Sequence, residues 1–304
     1  MMLCLIEWRP IESMPVALRI FRSSASGALL ALMLAVGGGP VTAQQSSNAK
    51  LTVRSHVPGL KITLLSKLPK APETVSPAEM CGPPFNPKSE GGKVAAALGW
   101  GVTAEAQLGT YQAVSFAGGF ENAASGTCEI SGGNVAIFSG GQLVAVIYAD
   151  KSGKASIGRI SMASNGLRIL DGDLVPMPVG DVRLTSEHAI EVLPLANEEP
   201  VCDGRGIVPN IYGRPVIEAR KAVIARGWKP FRSPPSSYPD HEGEDLRKDG
   251  IVEATGCVGT GLAFCSYYYR NGDMELGVTS VGDGKPTVSA YDIACEPSKW
   301  HKAD

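Results

Sequence analysis

Short apolar segments separated by glycine-containing turns recur along much of the chain. Seven of them follow one another, at residues 113–116, 127–130, 134–138, 142–148, 156–162, 167–170 and 190–193. The turn signals between them include Gly132-Gly133, Gly140-Gly141 and Asn165-Gly166. Short strands with turns at such spacing are typical of an antiparallel meander. We therefore expect residues 93–194 to form a mainly β domain with a sandwich or barrel-like arrangement.

The residues on either side of this run have different patterns. Residues 44–92 predict a polar tether and a proline-rich segment that hold only two short strands, near 51–54 and 62–65. Proline at this density removes backbone donors that a sheet or a helix needs. After the run, residues 194–206 are polar and without periodicity, which predicts a linker. A second, cysteine-containing domain is expected at residues 202–304.

The clearest helix signal lies in this second domain, between Pro215 and Gly227. Proline suits the first turn of a helix, and glycine supplies a left-handed stop after the last turn. Val216, Ala219 and Val223 fall on one helical face. Because a meander follows the helix, the order of elements predicts a small α+β domain with one helix on an antiparallel sheet.

The pairing of two strands within that meander can be predicted. Asn271-Gly272 predicts a type I′ turn, which would pair Tyr269 with Met274 and Tyr267 with Leu276. One face of the hairpin then packs against the helix and holds Cys265, Tyr267, Tyr269, Met274, Leu276 and Val278. The other face is expected to meet solvent and holds Ser266, Tyr268, Arg270, Asp273 and Glu275.

The helix unit resembles the opening half of a PASTA repeat, in which Val-Pro leads through a glycine into a helix with a central alanine and a closing glycine. The matching positions are Val208, Pro209, Gly213, Ala219, Val223 and Gly227, and the resemblance covers about twenty residues. The second half of a repeat is replaced by a proline-rich acidic loop at 234–245 and a cysteine-containing meander. PASTA domains are associated with peptidoglycan and muropeptide binding, so the resemblance implies a cell-wall glycan or peptide as the ligand.

The amino-terminal residues have the pattern of a secretory signal sequence. Two arginines precede an apolar run at 28–36, and Val41-Thr42-Ala43 forms a small-residue cleavage site. We expect residues 1–43 to be leader and signal peptide, translation to start at Met14, and cleavage near Ala43 to release a periplasmic or secreted protein. The apolar run is too short to span a bilayer, which predicts a mature chain without a transmembrane anchor.

The cysteines agree with export. Of the seven cysteines, only Cys4 lies in the leader. An even set in an exported chain favours disulfides, with a mixture of bridges and free thiols as the alternative. Six cysteines allow fifteen complete pairings. We favour the set Cys81–Cys128, Cys257–Cys265 and Cys202–Cys295, because the first would attach the proline-rich loop to the sheet and the second spans a short flexible turn.

Charge and motifs exclude several functions. The net charge is only −2 and the basic residues are scattered along the chain, which argues against nucleic acid and anionic membranes as partners. No serine, cysteine or metal-dependent hydrolase signature is present, and we expect neither a cofactor nor a metal. His241, among the carboxylates of 240–245, could hold a cation, but the spacing matches neither an EF-hand nor a zinc site and favours a solvated acidic loop. His56, His188 and His301 have no predicted partner.

The remaining candidates are aromatic. Tyr268 on the outer face of the hairpin, with Tyr291 and Trp228 nearby, could stack on sugar rings, although strand-forming tyrosines need no ligand. The predicted ligand-binding set is Tyr268, Arg270, Glu275, Tyr291 and Trp228. The sequence thus favours an exported non-catalytic envelope binding protein. It leaves open a module that binds or inhibits an envelope enzyme, and an enzyme of unrecognised type.

Overall fold

A computed structural model describes residues 50–76, 81, 85–123, 128–150, 155–172, 175–232, 240–258 and 261–296. The expected signal sequence, its cleavage site, Met14 and His301 lie outside the described residues. The strands, in chain order, are β1 (Thr52–Ser55), β2 (Leu60–Leu64), β3 (Gly101–Leu108), β4 (Tyr111–Ala117), β5 (Gly119–Asn122), β6 (Cys128–Ser131), β7 (Asn134–Ser139), β8 (Gln142–Ala149), β9 (Arg159–Ala163), β10 (Gly166–Leu170), β11 (Pro178–Ser186), β12 (Ala189–Leu193), β13 (Glu198–Val201), β14 (Gly206–Pro209), β15 (Lys229–Pro230), β16 (Ala254–Thr255), β17 (Cys265–Asn271), β18 (Met274–Val281) and β19 (Thr287–Ala294). The helices are α1 (Glu90–Ala97), α2 (Val216–Ala225) and α3 (His241–Lys248). The predicted mainly β fold with a smaller α+β part is confirmed.

The first part of the fold is a β-sandwich of two five-stranded sheets. Their strand orders are β1-β12-β11-β10-β9 and β2-β8-β7-β4-β3. Alternate residues of facing strands fill the space between the sheets, for example Ile137 and Ile147 from one and Leu167 and Ile169 from the other, all fully buried. Strand β1 pairs with β12 in parallel and β2 pairs with β8. The sandwich therefore draws on residues on both sides of position 92.

The second part is an antiparallel sheet covered on one face by α2. Its main path is β15-β17-β18-β19, and β16 also pairs with β17. Val216, Ala219 and Val223 are the buried residues of α2, as the helical spacing predicts. They share a core cluster with Tyr267 and Leu276. The predicted helix face is therefore confirmed.

The hairpin of β17 and β18 has the predicted faces but a different register. Asn271 pairs with Met274 and Tyr269 pairs with Leu276, so the turn is centred on Gly272 and Asp273. Gly272 adopts a φ of 61° at the first central position, as a type II′ turn requires. The predicted register is wrong by two residues along one strand. Because side chains alternate with a period of two, this shift leaves the same residues on each face.

Two segments expected as irregular contain secondary structure. In the predicted linker, β13 pairs with β14 to form a hairpin. Residues 241–248 form α3, so the expectation of an acidic loop at 234–245 is wrong for residues 241–245. The side chain of Asp240 caps this helix by accepting a hydrogen bond from Gly243 N at 3.2 Å, and it also accepts one from Cys257 N at 2.9 Å.

Three disulfides connect the chain. They join Cys81 to Cys128, Cys202 to Cys295 and Cys257 to Cys265, which is the predicted connectivity. The second of these attaches the tip of the β13–β14 hairpin to the residue that follows β19. None of the helices in the described ranges has the length and apolar character needed to cross a bilayer.

Candidate functional site

A groove of about 1110 Å³ lies where the sandwich meets the second sheet. Residues of β9 and β10 line it from the sandwich. The β13–β14 hairpin and residues of β18 and β19 of the second sheet complete its lining. Its volume slightly exceeds the usual range of small-molecule sites. The groove is the principal candidate for a ligand site in the described part of the chain.

An ion-pair network forms part of the groove wall. Arg168 on β10 donates from Nε to Oδ1 of Asp181 at 3.0 Å and from Nη1 to Oε2 of Glu199 at 3.2 Å. Asp181, which is 1 % exposed, also accepts from Arg183 at 3.0 Å. Glu199 belongs to β13, so the network crosses from the sandwich to the hairpin that precedes α2. With two cations and two carboxylates, the charges of this network balance.

Tyrosine rings extend this wall. The Tyr291 hydroxyl donates to Oε2 of Glu199 at 2.7 Å, and Ser164 Oγ donates to Oε1 at 2.7 Å. The rings of Tyr212 and Tyr291 are 4.9 Å apart, and the Arg168 guanidinium lies 5.8 Å from the Tyr212 ring centre. Each side chain is thus held by at least one other, which gives the wall a fixed geometry.

The protonation states of these groups are fixed as well. Burial opposes the charge of Glu199, but hydrogen bonds from Tyr291 and Ser164 and the charge of Arg168 lower the pKa of Glu199 below its usual 4.5. Burial also opposes the charge of Arg168, yet Asp181 and Glu199 raise its pKa. Burial, with Tyr212 and Glu199, raises the pKa of the Tyr291 hydroxyl. At neutral pH Glu199 is therefore ionised, Arg168 is charged and the Tyr291 hydroxyl keeps its proton.

The structure separates the predicted ligand-binding residues. Tyr291 lines the groove. Trp228 is fully buried and its Nε1 donates to the Ile207 carbonyl at 2.7 Å, so its ring cannot stack on a ligand and that prediction is wrong. Tyr291 stands opposite Val278, on the helix-covered side of the sheet, whereas Tyr268 is on the other side. Tyr268 and Tyr291 are therefore on opposite faces of the sheet and Trp228 is in the core, so the three rings do not form one surface.

Tyr268, Arg270 and Glu275 do come together on the outer face. Arg270 donates to Oε1 of Glu275 at 2.9 Å and lies 3.9 Å from the ring centre of Phe231, which is 6.0 Å from the Tyr268 ring. Glu275 is only 4 % exposed, so the expectation that it meets solvent is wrong. Its burial is compensated by the pairing with Arg270.

Sequence reasoning missed most of the groove residues. Arg168 stands alone among apolar neighbours on a short strand, and Glu199 lies in the segment predicted as a linker. Tyr212 lies within the stretch that carries the PASTA-like positions but is not one of them. A polar residue at the centre of an otherwise apolar strand was the one available signal, since such a residue needs a partner once it is buried.

Three of the histidines weighed above, His56, His188 and His241, lie within the described residues. His56 Nε2 lies 3.1 Å from Oε2 of Glu191, so the expectation that His56 has no partner is wrong. His241 is exposed at the start of α3, where Asp245 pairs with Lys248 at 2.7 Å. In the described ranges, no three residues among His, Cys, Asp and Glu are arranged to hold a metal ion.

Comparison with known protein families, with curated proteins and with solved structures finds no match for this chain.

Proposed function

We propose that this protein is an exported, non-catalytic envelope binding protein that holds a peptidoglycan-derived glycan or peptide in the groove between the sandwich and the second sheet. The observation that carries the proposal is the groove itself, which has a large open volume and a wall of mutually hydrogen-bonded polar side chains. A wall whose side chains are already ordered loses little conformational entropy when a ligand binds.

The lining suits an amphipathic ligand. Tyr212 and Tyr291 present aromatic rings beside the hydroxyl of Ser164 and the amide of Asn165. Aromatic surface next to a few oriented polar groups is the usual composition of small-molecule sites. Sugars and short peptides both offer apolar surface together with hydrogen-bonding groups. The chemistry of the groove therefore supports either ligand class.

Two further observations support the cellular location and the ligand. The signal-sequence pattern and the three disulfides agree with an oxidising compartment outside the cytoplasm. The PASTA-like helix unit links the second part of the chain to domains that bind peptidoglycan, and it ends at Gly227 with the left-handed φ of 87° that the pattern implies.

A second candidate function is a module that binds or inhibits an envelope enzyme. It is favoured by Met162, a large apolar side chain that is 68 % exposed on β9 at the groove. Methionine adapts to different partners and is used often at protein-binding surfaces. Retention of the protein by purified sacculi supports the first candidate, and recovery of one stoichiometric envelope protein supports the second.

Filling the groove tests the proposal. Ala290 is exposed on β19 and lines the groove, whereas Ala225 is exposed at the end of α2, outside the set of residues that line it. We expect purified sacculi to retain the wild type and Ala225→Trp but not Ala290→Trp. Equal retention of the two variants would show that the sacculi bind elsewhere, and no retention of the wild type would contradict a peptidoglycan ligand.

A further inference from the structure

Strand β19 forms an edge of the second sheet, and the chain already covers the first half of that edge. Residues 213–216 run alongside it: Gly213 N donates to the Val288 carbonyl at 2.8 Å, and Val288 N donates to the Arg214 carbonyl at 2.9 Å. This segment therefore adds to β19 by main-chain hydrogen bonds. The edge can accept an extended chain, since one is present on it.

The direction of the remaining backbone groups follows from the sheet's hydrogen bonds. Tyr268 N donates to the Glu253 carbonyl at 3.3 Å, and the Tyr268 carbonyl accepts from Phe231 N at 3.1 Å. The backbone of Tyr268 thus points away from β18. Because backbone direction alternates along a strand, the neighbouring Tyr267 and Tyr269 point toward β18.

The same alternation carries across to the edge. The partners of Tyr267 and Tyr269 on β18 are Val278 and Leu276, whose backbone N–H and C=O groups point to β17. The backbone groups of Gly277, which lies between them, therefore point toward β19, where Gly277 pairs with Asp292. The backbone N–H and C=O groups of Asp292 therefore point into the sheet. The backbone N–H and C=O groups of Tyr291 and Ile293 point out of it, into the groove that both residues line.

At each end of this stretch of β19, a backbone group already has a hydrogen-bond partner. Val288 is paired with residues 213–214, and the Cys295 carbonyl accepts from Arg205 Nη2 at 2.9 Å. Between them, no hydrogen bond from another backbone segment of the described residues reaches Tyr291 or Ile293. An unpaired edge of this kind is a template for another strand. Met162 on β9 lies across the same groove and offers apolar contact to a side chain of such a strand.

We propose that the groove binds an extended peptide by adding it as a strand to the edge of β19, through the main-chain groups of Tyr291 and Ile293. Strand addition draws its affinity from backbone hydrogen bonds and its specificity from alternate side chains. The proposal rests on the function proposed above, that the groove is a ligand site, and narrows the ligand from glycan or peptide to a peptide main chain.

A proline substitution at the edge tests this mode of binding. Ile293→Pro removes an outward N–H without removing a donor to β18, and proline is tolerated at strand edges. Ile293→Ala shortens the same side chain and keeps the N–H. The probe is a synthetic dodecapeptide selected on the wild-type protein from a phage-displayed random library. We expect the affinity of Ile293→Ala for this peptide to stay within a few-fold of the wild-type affinity. We expect Ile293→Pro to bind the peptide at least about tenfold more weakly than the wild type.

Amide hydrogen exchange shows whether the variants keep the fold and where the peptide binds. Both variants must protect the core of β17 and β18 as the wild type does, and the peptide must protect the amides of Tyr291 and Ile293 in the wild type. Equal affinities of the two variants would overturn strand addition. If sacculi bind in the groove but no peptide is selected, this inference fails while the proposed function stands; if neither binds, both fail.

Discussion

The Tyr291 hydroxyl donates a 2.7 Å hydrogen bond to Oε2 of Glu199, across a separation of 92 residues in the sequence. Glu199 in turn pairs with Arg168 on the sandwich. Tyr291 thereby connects the last strand of the second sheet, through one carboxylate, to the first part of the fold. The same contact fixes the orientation of a ring that lines the groove.

Replacing Tyr291 with phenylalanine should destabilise the protein without unfolding it. The substitution removes the hydrogen bond to Glu199, while Arg168 and Ser164 still satisfy the carboxylate. We expect a loss of about 1.5 kcal/mol in the free energy of unfolding, measured by urea denaturation. Tyr148→Phe makes the same chemical change at a ring that is 38 % exposed and should cost less than about 0.5 kcal/mol. Equal effects of the two substitutions would contradict a structural role for the Tyr291 hydroxyl.

Two adjacent residues of α2 test which face of this helix is buried. Val223 is 1 % exposed and packs in the core of the second sheet, whereas Ile224 is 38 % exposed. Val223→Asp would bury an unpaired charge and should cost at least about 3 kcal/mol, enough to unfold this part of the chain at moderate temperature. Ile224→Asp should cost less than about 1 kcal/mol. Thermal unfolding of both variants checks the assignment, which is reversed if Ile224→Asp is the more damaging.

Stability should fall in acid partly because of Glu199. The pKa of Glu199 is lower in the folded protein than its usual 4.5, so the folded state releases this proton more readily than the unfolded state. Its contribution is fully present above about pH 4.5 and is lost as the pH falls through the folded-state pKa. We expect the wild type to be more stable than Glu199→Gln at pH 7 and to lose that advantage below pH 4.5. A difference that stays constant or grows on acidification would contradict the assigned ion pairs.

The signal-sequence pattern predicts the amino terminus of the mature protein. A small-residue site at Val41-Thr42-Ala43 should direct cleavage before Gln44. Amino-terminal sequencing of protein recovered from its native host should therefore begin at or near Gln44. A cytoplasmic product that retains Met1 would contradict export.

Local patterns in the sequence were sufficient to predict the elements whose geometry depends on residues close together in the chain. The face of α2 follows from the spacing of Val216, Ala219 and Val223, because the helical repeat is intrinsic to the backbone. The Cys257–Cys265 pair also spans a short segment. The turn at Gly272 shows the limit of this reasoning, since Asn-Gly favours one register and the sheet has another, in which Tyr269 pairs with Leu276.

The groove could not be predicted in the same way. The partners of Glu199 lie 31 residues before it and 92 residues after it, so no sequence window contains the network. Trp228 follows the glycine after α2, and its ring is fully buried in the core of the second sheet instead of being open to a ligand. In each case the deciding contact is set by tertiary packing, which overrides the local preference.

The central claim, that the ligand occupies the groove, is tested most directly by hydrogen–deuterium exchange with soluble muropeptides released from sacculi by enzymatic digestion. We predict slower exchange on binding at residues 159–163 of β9 and 289–295 along the edge of β19, with little change at residues 266–270 of β17. Protection confined to residues 266–270 would place the ligand on the outer face beside Tyr268 and contradict the account, as would exchange that muropeptides leave unchanged throughout.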